Sequence, residues 1–145
     1  MLRVLLVVSP GPEQYAAIAR ALATMPIAQV YAPPEDEGAL PSVTSAITGA
    51  LGGLVQAEAR LLDGPDTIDF VEWIASQEVD DEQAVVMLAS VEVVREVVIH
   101  ALQAPVAADR LRFEPGTFAE VEVRLDAPWT VNRLNDGCHL DGWSI

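Results

Sequence analysis

The sequence predicts a three-layer α/β/α sandwich with a mainly parallel β-sheet. Short apolar runs rich in β-branched residues, such as Leu2–Val8 and Ala84–Ala89, are typical of strands that are buried on both faces. These runs alternate with segments whose apolar residues recur at helical spacing, as in Glu13–Thr24. Alternating strands and helices are the pattern of α/β folds. The 145 residues suffice for one core, so we expect a single domain over residues 1–145.

The first part of the chain supplies three predicted strands and three predicted helices. Pro12 suits the first turn of a helix, because that turn has no use for its missing backbone N–H. Gly52-Gly53 is a helix stop signal. In chain order we assign a strand at Leu2–Val8, a helix at Glu13–Thr24, a strand at Ile27–Tyr31, an acidic loop at Glu35–Leu40, a helix at Ser42–Leu51, a strand at Leu54–Ala59 and a helix at Asp66–Gln77.

The second part of the chain begins with the clearest strand, Ala84–Ala89, and the clearest helix, Val91–Leu102. From Thr117 to Leu125, apolar and charged residues alternate, which predicts an antiparallel or edge strand with one solvated face. Trp129–Leu134 is predicted to be its hairpin partner. The tail after Leu140 is predicted to be irregular.

The charge balance argues against several classes of partner. There are 8 Lys and Arg residues against 22 Asp and Glu, a formal net charge of −14. Nucleic-acid binding needs cations that displace counterions from phosphates, so it is not expected. The apolar run Val4–Val8 is too short to span a bilayer, and no signal-peptide pattern surrounds it. The lone Cys138 cannot form an internal disulfide, so we expect a cytoplasmic protein without a membrane partner.

Two segments carry a resemblance to a known family. One is Ala89–Arg95, which follows a strand and opens a helix; the other is the ending Arg133–Leu140. Together they resemble the histidine phosphatase (phosphoglycerate mutase-like) superfamily, whose corresponding motifs are Ser-His-Gly-Gly-Val-Ile-Arg and Arg-Leu-Asn-Asp-x-x-His-Leu. The resemblance implies a phosphoglycerate mutase-like fold, with a pocket in which a histidine attacks phosphorus among arginines.

Other residue types stand where the resemblance places the catalytic ones. Ser9, Pro10 and Gly11 fall on the family's Arg-His-Gly, so the nucleophile is replaced by Pro10, which has no nucleophilic atom. Glu37 falls on a phosphate-binding arginine, where its charge would cost several kcal/mol against a phosphate at a dielectric constant of about 20. Thr67 falls on the general acid of many members.

The resemblance also places Ser90 at the second histidine and Glu92 at the border of the vacated space. We therefore expect no catalytic residue, no metal and no cofactor. Two interpretations stay open for Glu37 and Glu92, with Glu35 and Asp36 at the rim: they converge to hold a hard cation or a basic side chain, or they form a solvated acidic loop. The predicted vestigial pocket comprises Ser9, Pro10, Gly11, Glu37, Thr67, Ser90 and Glu92.

Other catalytic chemistry finds little support in the sequence. His100 lies inside a predicted helix, and His139 matches the customary histidine of the tail motif, so both are predicted to be structural. Neither Ser9 nor Ser90 sits in the Gly-x-Ser-x-Gly elbow of serine hydrolases. The glycine-rich stretch at residues 49–53 lacks the Lys-Ser/Thr ending of a phosphate-binding loop.

The leading interpretation is a catalytically inactive histidine phosphatase-like domain that acts in protein interaction or ligand sensing, with an unknown protein or small ligand as its partner. The alternative is a phosphatase or phosphomutase-type enzyme with a rebuilt active site. A third is a structural subunit: the resemblance implies paired domains, and Thr117–Leu125 is then a candidate surface for a homodimer.

Overall fold

The computed structural model describes residues 1–22, 24–32, 58–61, 67–77, 84–103 and 111–140. Within these ranges, no helix has the length and apolar character that crossing a membrane requires. The elements follow the predicted order, and the strands at Leu2–Val8 and Ala84–Ala89 and the helix at Val91–Leu102 have their predicted bounds. They are β1 (Leu2–Val8), a short 3-10 turn (Pro12–Gln14), α1 (Tyr15–Leu22), β2 (Ile27–Ala32), β3 (Glu58–Leu61), α2 (Thr67–Ser76), β4 (Ala84–Ala89), α3 (Val91–Leu102), β5 (Phe118–Val123) and β6 (Thr130–Asp136).

The strands form one six-stranded sheet in the order β3-β2-β4-β1-β5-β6. The pairs β2–β3, β2–β4 and β1–β4 are parallel, whereas β5 is antiparallel to both β1 and β6. The prediction of a mixed α/β fold with a mainly parallel sheet is therefore confirmed. The antiparallel hairpin at one side also confirms the change of pattern that the sequence shows after residue 117.

Helices cover both faces of the sheet, which gives the predicted three layers. On one face, Ile18 and Leu22 of α1 pack with Leu5 and Val7 of β1. On the other face, α2 and α3 pack against the alternate residues of the same strand, among them Val4. Because both faces of β1 are covered, its sequence from Val4 to Val8 is a continuous apolar run instead of an alternating one.

Packing and end caps together account for α3, which is rich in β-branched residues of modest helix propensity. Its buried face consists of Val94, Val97, Val98 and Ala101, at the spacing of one helix stripe. At its start, the Ser90 hydroxyl accepts a hydrogen bond from the backbone N–H of Val93 at 3.4 Å. At its end, Gln103 adopts a left-handed conformation (φ 52°), and its N–H reaches the Ile99 carbonyl at 3.1 Å.

The prediction of an antiparallel or edge strand at Thr117–Leu125 is confirmed in its pairing, since β5 is antiparallel to both of its neighbours, β1 and β6. Its alternate charged residues, Glu120 and Glu122, are half-buried, and Asn132 on β6 donates to both carboxylates, at 2.9 and 3.0 Å. The face that the alternation predicts to be solvated is therefore partly exposed and carries hydrogen bonds to the neighbouring strand.

Two further predictions differ from the structure in detail. The sequence of the helix at Asp66–Gln77 predicts Trp73 beside Ile74 on its apolar side, but Trp73 is 54% exposed. Val71 and Ile74 define the buried stripe of α2, and Trp73 is turned about 100° away from Ile74. The third strand ends at Leu61, two residues later than predicted. The predicted acidic loop (35–40), the helix at 42–51, the start of the third strand (54–57) and the tail after Leu140 lie outside the described residues.

Candidate functional site

The ends of β1 and β4 bring Ser9 and Ser90 to neighbouring positions. The two strands pair in parallel, with Val8 opposite Ala89. The ladder continues one step further, since the Ser9 backbone N–H donates to the Ala89 carbonyl at 2.9 Å. Both serines therefore lie at the carboxyl edge of the sheet, where open α/β sheets bind their ligands. The strand register thus brings two members of the predicted vestigial pocket, Ser9 and Ser90, to the same edge.

In the turn after β1, a backbone N–H is already engaged in a hydrogen bond within the protein. The N–H of Gly11 donates to Oε1 of Gln14 at 3.0 Å, and the N–H of Gln14 donates back to the Gly11 carbonyl at 2.9 Å. The Gln14 amide nitrogen then donates to the Pro115 carbonyl at 2.9 Å. A phosphate-binding turn would leave such an N–H for the ligand. Sequence reasoning did not identify Gln14, because nothing local marks a glutamine that bonds to a distant loop.

The segment before β5 closes against the end of β1. Gly116 donates to the Val8 carbonyl at 2.8 Å, and Val8 donates to the Thr117 carbonyl at 3.1 Å. The fully buried Thr117 donates its hydroxyl to the Glu114 carbonyl at 2.7 Å, so its polar atom is satisfied inside the protein. Hydrogen bonds thus hold the segment before β5 against the end of β1.

The tail motif holds that segment in place. The Asn135 side chain accepts from the backbone N–H of Glu114 at 2.9 Å. The His139 ring lies 2.8 Å from the Gly116 carbonyl through Nε2, and it stacks on Phe118 with 3.9 Å between ring centroids. These contacts agree with the structural role predicted for His139.

Arg133, the first residue of the tail motif, forms an ion pair with Glu120 at 2.9 Å and contacts Asp136 at 3.3 Å. Burial raises the pKa of Glu120, but hydrogen bonds from Arg133 and Asn132 outweigh it and hold that pKa below its usual range. Arg133 thereby joins β5 to β6 instead of reaching the edge formed by Ser9 and Ser90. The tail motif is identifiable from sequence, but its partner Glu120 is not.

Thr67 and Glu92 lie on the helices that flank the sheet edge. Thr67 is the first residue of α2 and is half-buried. Glu92 is exposed in the first turn of α3, and it lines a groove of about 640 Å³ between α2 and α3. Among the described residues of the predicted vestigial pocket, Glu92 alone lines this groove. Glu37, together with Glu35 and Asp36, lies outside the described residues, so their convergence stays a prediction.

Solved structures share this architecture over nearly their whole length. Phosphoserine phosphatase from Entamoeba histolytica, in complex with 3-phosphoglyceric acid, aligns with a TM-score of 0.61 at 9% identity, covering 97% of this chain and 100% of that chain. Mycobacterial hydrolase 1 aligns with a TM-score of 0.65 at 12% identity, covering 92% of this chain and 97% of that chain. Phosphoglycerate mutase from Plasmodium falciparum aligns with a TM-score of 0.62 at 14% identity, covering 99% of this chain and 96% of that chain. The chain has the histidine phosphatase fold. No protein-family model matches the sequence, and no curated protein does.

Three hydroxyl side chains lie at this edge among the described residues: those of Ser9, Ser90 and Thr117. The Ser90 hydroxyl caps α3, and the Thr117 hydroxyl donates to the Glu114 carbonyl. The two described histidines are used elsewhere, His139 on Phe118 and His100 edge-on to Trp129 at 4.6 Å. In the part of the chain that the structure places, no group of three or more His, Cys, Asp or Glu side chains is arranged to hold a metal ion.

Proposed function

We propose that this chain is a non-catalytic domain of histidine phosphatase fold that works by binding a partner. The observation that carries the proposal is the composition of the β1 and β4 strand ends. Ser9, Pro10 and Ser90 stand there, at positions where the sequence resemblance puts the family's catalytic residues, and the parallel register of the two strands brings Ser9 and Ser90 side by side. A proline offers no nucleophilic atom, and a serine without a base is a weak nucleophile near neutral pH.

The hydrogen bonds at this edge support the same proposal. Phosphoryl transfer depends on donors aimed at the phosphoryl oxygens. The Gly11 N–H is bonded to Gln14, and the Ser90 hydroxyl accepts from the start of α3. Glu92, in the first turn of α3, contributes a negative charge where a phosphate would profit from the positive end of the helix. The chain's net charge of −14 adds to this unfavourable field.

The second candidate is a phosphatase or phosphomutase-type enzyme with a rebuilt active site. It is favoured by one observation, the names of the fold neighbours, which are phosphatases and a mutase. At identities of 9–14% these neighbours support the architecture, and the chemistry must come from this chain's own residues.

Phosphoester turnover separates the two candidates. The protein is incubated with para-nitrophenyl phosphate, phosphoserine and 3-phosphoglycerate, and inorganic phosphate release is followed. We expect release no faster than in buffer, and no thermal stabilisation by phosphate or vanadate. The matched variants are Ser9→Ala and Ser90→Ala, with Asp126→Asn as an exposed control in the β5–β6 turn. Turnover that is lost in the serine variants but kept in Asp126→Asn would establish the enzyme and overturn the proposal.

A further inference from the structure

The surface between α2 and α3 combines an apolar floor with an exposed aromatic ring. Ile68 of α2 and Ile99 of α3, both half-buried, line the groove of about 640 Å³. Asp69 lines the same groove, and Trp73 lies one helical turn further along α2. Trp73 is 54% exposed and rests on Phe70, with 5.9 Å between ring centroids. We call these residues, with Glu92 and Glu96 on α3, the α2–α3 surface.

The charge on this surface is predominantly negative. Three carboxylates line the groove, those of Asp69, Glu92 and Glu96, against one guanidinium. That guanidinium belongs to Arg95, whose Nε donates to the Leu111 carbonyl at 2.8 Å, so it is oriented by the protein's own backbone. Within the part of the chain that the structure describes, the three carboxylates form no hydrogen bond or ion pair.

We propose that the α2–α3 surface binds a protein segment that carries arginine or lysine next to apolar side chains. The inference rests on the proposed non-catalytic function and assigns it a surface and a class of partner. A partner that covers Asp69, Glu92 and Glu96 must supply cations, since burying unpaired carboxylates is costly. Apolar side chains of the segment then cover Ile68 and Ile99, which line the same groove as the carboxylates.

Trp73 is the anchor of this contact. Tryptophan is enriched among the residues that dominate binding energy at protein interfaces, and its ring attracts guanidinium and ammonium groups. The indole of Trp73 contacts Phe70, and Phe70 packs edge-on against the buried Tyr31 at 5.3 Å. The exposed ring is thus connected to the hydrophobic core. An anchor held in this way loses less side-chain freedom on binding. The net charge of −14 attracts a basic partner from a distance and repels nucleic acids.

The test uses three short synthetic peptides as probes. The first carries arginines and leucines, the second replaces the arginines with glutamates, and the third replaces the leucines with serines. Binding to the isotope-labelled protein is mapped by backbone NMR shifts and titrated by tryptophan fluorescence. We expect only the first peptide to bind tightly, with shifts concentrated on α2 and α3. Raising the salt concentration should weaken its binding.

Variants locate the binding energy. Trp73→Ala, and separately Glu92→Gln combined with Glu96→Gln, should each weaken binding of the arginine–leucine peptide by about tenfold or more, the scale of an interface anchor. Asp126→Asn, an exposed carboxylate in the β5–β6 turn, should change it by less than about twofold. Thermal melts verify that every variant is folded.

Three results would overturn the inference: no binding of the arginine–leucine peptide, equal binding of the serine-substituted peptide, or shifts scattered over all acidic surfaces. Each would leave the non-catalytic proposal intact, because that proposal is decided by phosphoester turnover. Conversely, turnover at Ser9 and Ser90 would remove the proposed function even where the peptide binds at Trp73.

Discussion

The side-chain amide of Gln14 donates a hydrogen bond to the backbone carbonyl of Pro115 at 2.9 Å, although the two residues are 101 positions apart. The oxygen of the same amide accepts from the Gly11 N–H at 3.0 Å. One side chain therefore fastens the turn after β1 to the segment before β5. This bridge lies beside the carboxyl edge of the sheet where β1 ends, and it engages the Gly11 backbone N–H in a hydrogen bond within the protein.

Replacing Gln14 with alanine should destabilise the protein by about 1–3 kcal/mol, because two hydrogen bonds are lost and the Gly11 N–H is left without its acceptor. The free energy of unfolding is measured by urea denaturation. Gln77→Ala is the matched control, since its side chain bonds only to Trp73 and Ser76 on the neighbouring turn. Equal stability of the two variants would show that the bridge contributes nothing measurable.

Replacing Gly116 with alanine should also be destabilising, for two separable reasons. Gly116 has φ +81°, which costs about 1 kcal/mol for a residue with a Cβ, and that Cβ would lie 2.6 Å from Oε1 of Gln14. In the Gln14→Ala background the clash disappears and only the backbone strain is left. A double-mutant cycle should therefore give a Gly116→Ala cost that is smaller beside Ala than beside Gln. Costs that add without coupling would contradict the contact.

The elements that the sequence predicts with the correct bounds are those fixed by local signals. β4 is an uninterrupted apolar run, β1 is an apolar run that contains only Arg3 as a charged residue, and α3 begins directly after a serine suited to capping it. The parallel pairing of β4 with β1 and β2 agrees with the general rules of α/β folds. The carboxyl edge of the sheet, with Ser9 beside Ser90, could therefore be predicted together with the fold.

The features that sequence reasoning missed are contacts between distant segments. The bond between Gln14 and Pro115 leaves no periodic signal, nor does the ion pair between Glu120 and Arg133 across the hairpin. Trp73 was assigned to an apolar stripe because of its residue type, whereas the helical phase set by Val71 and Ile74 turns it outward. Hydrophobic character alone does not determine which side of a helix is covered.

The ion pair between Glu120 and Arg133 should make stability depend on pH in the acid range. The pKa of Glu120 is lowered in the folded protein from 4.5, so the unfolded chain binds more protons once the pH falls to that region. Its contribution is present above pH 4.5 and is lost as the pH falls through the lower, folded-state pKa. Glu120→Gln should flatten this part of the pH profile of unfolding free energy.

Asp126→Asn, which removes an exposed carboxylate of the β5–β6 turn, serves as the control for that profile. Some acid dependence should persist in Glu120→Gln, because a hydrogen bond from the Cys138 backbone N–H lowers the pKa of Asp136 as well. An unchanged profile in Glu120→Gln would mean that Glu120 titrates alike in both states.

Ser90 should prove to matter for helix stability and not for catalysis. Its hydroxyl accepts from the Val93 N–H at 3.4 Å, a long hydrogen bond, so Ser90→Ala should cost about 1 kcal/mol or slightly less. Ser90→Asp should retain most of the stability, because a carboxylate also caps a helix start and suits its positive end. Ser90→His restores the residue that the resemblance expects, and it should lose the cap without gaining phosphatase activity, since Pro10 still lacks a nucleophilic atom. Urea denaturation and phosphate release measure the two effects, and phosphate release by Ser90→His would show that the edge is still a working phosphoryl site.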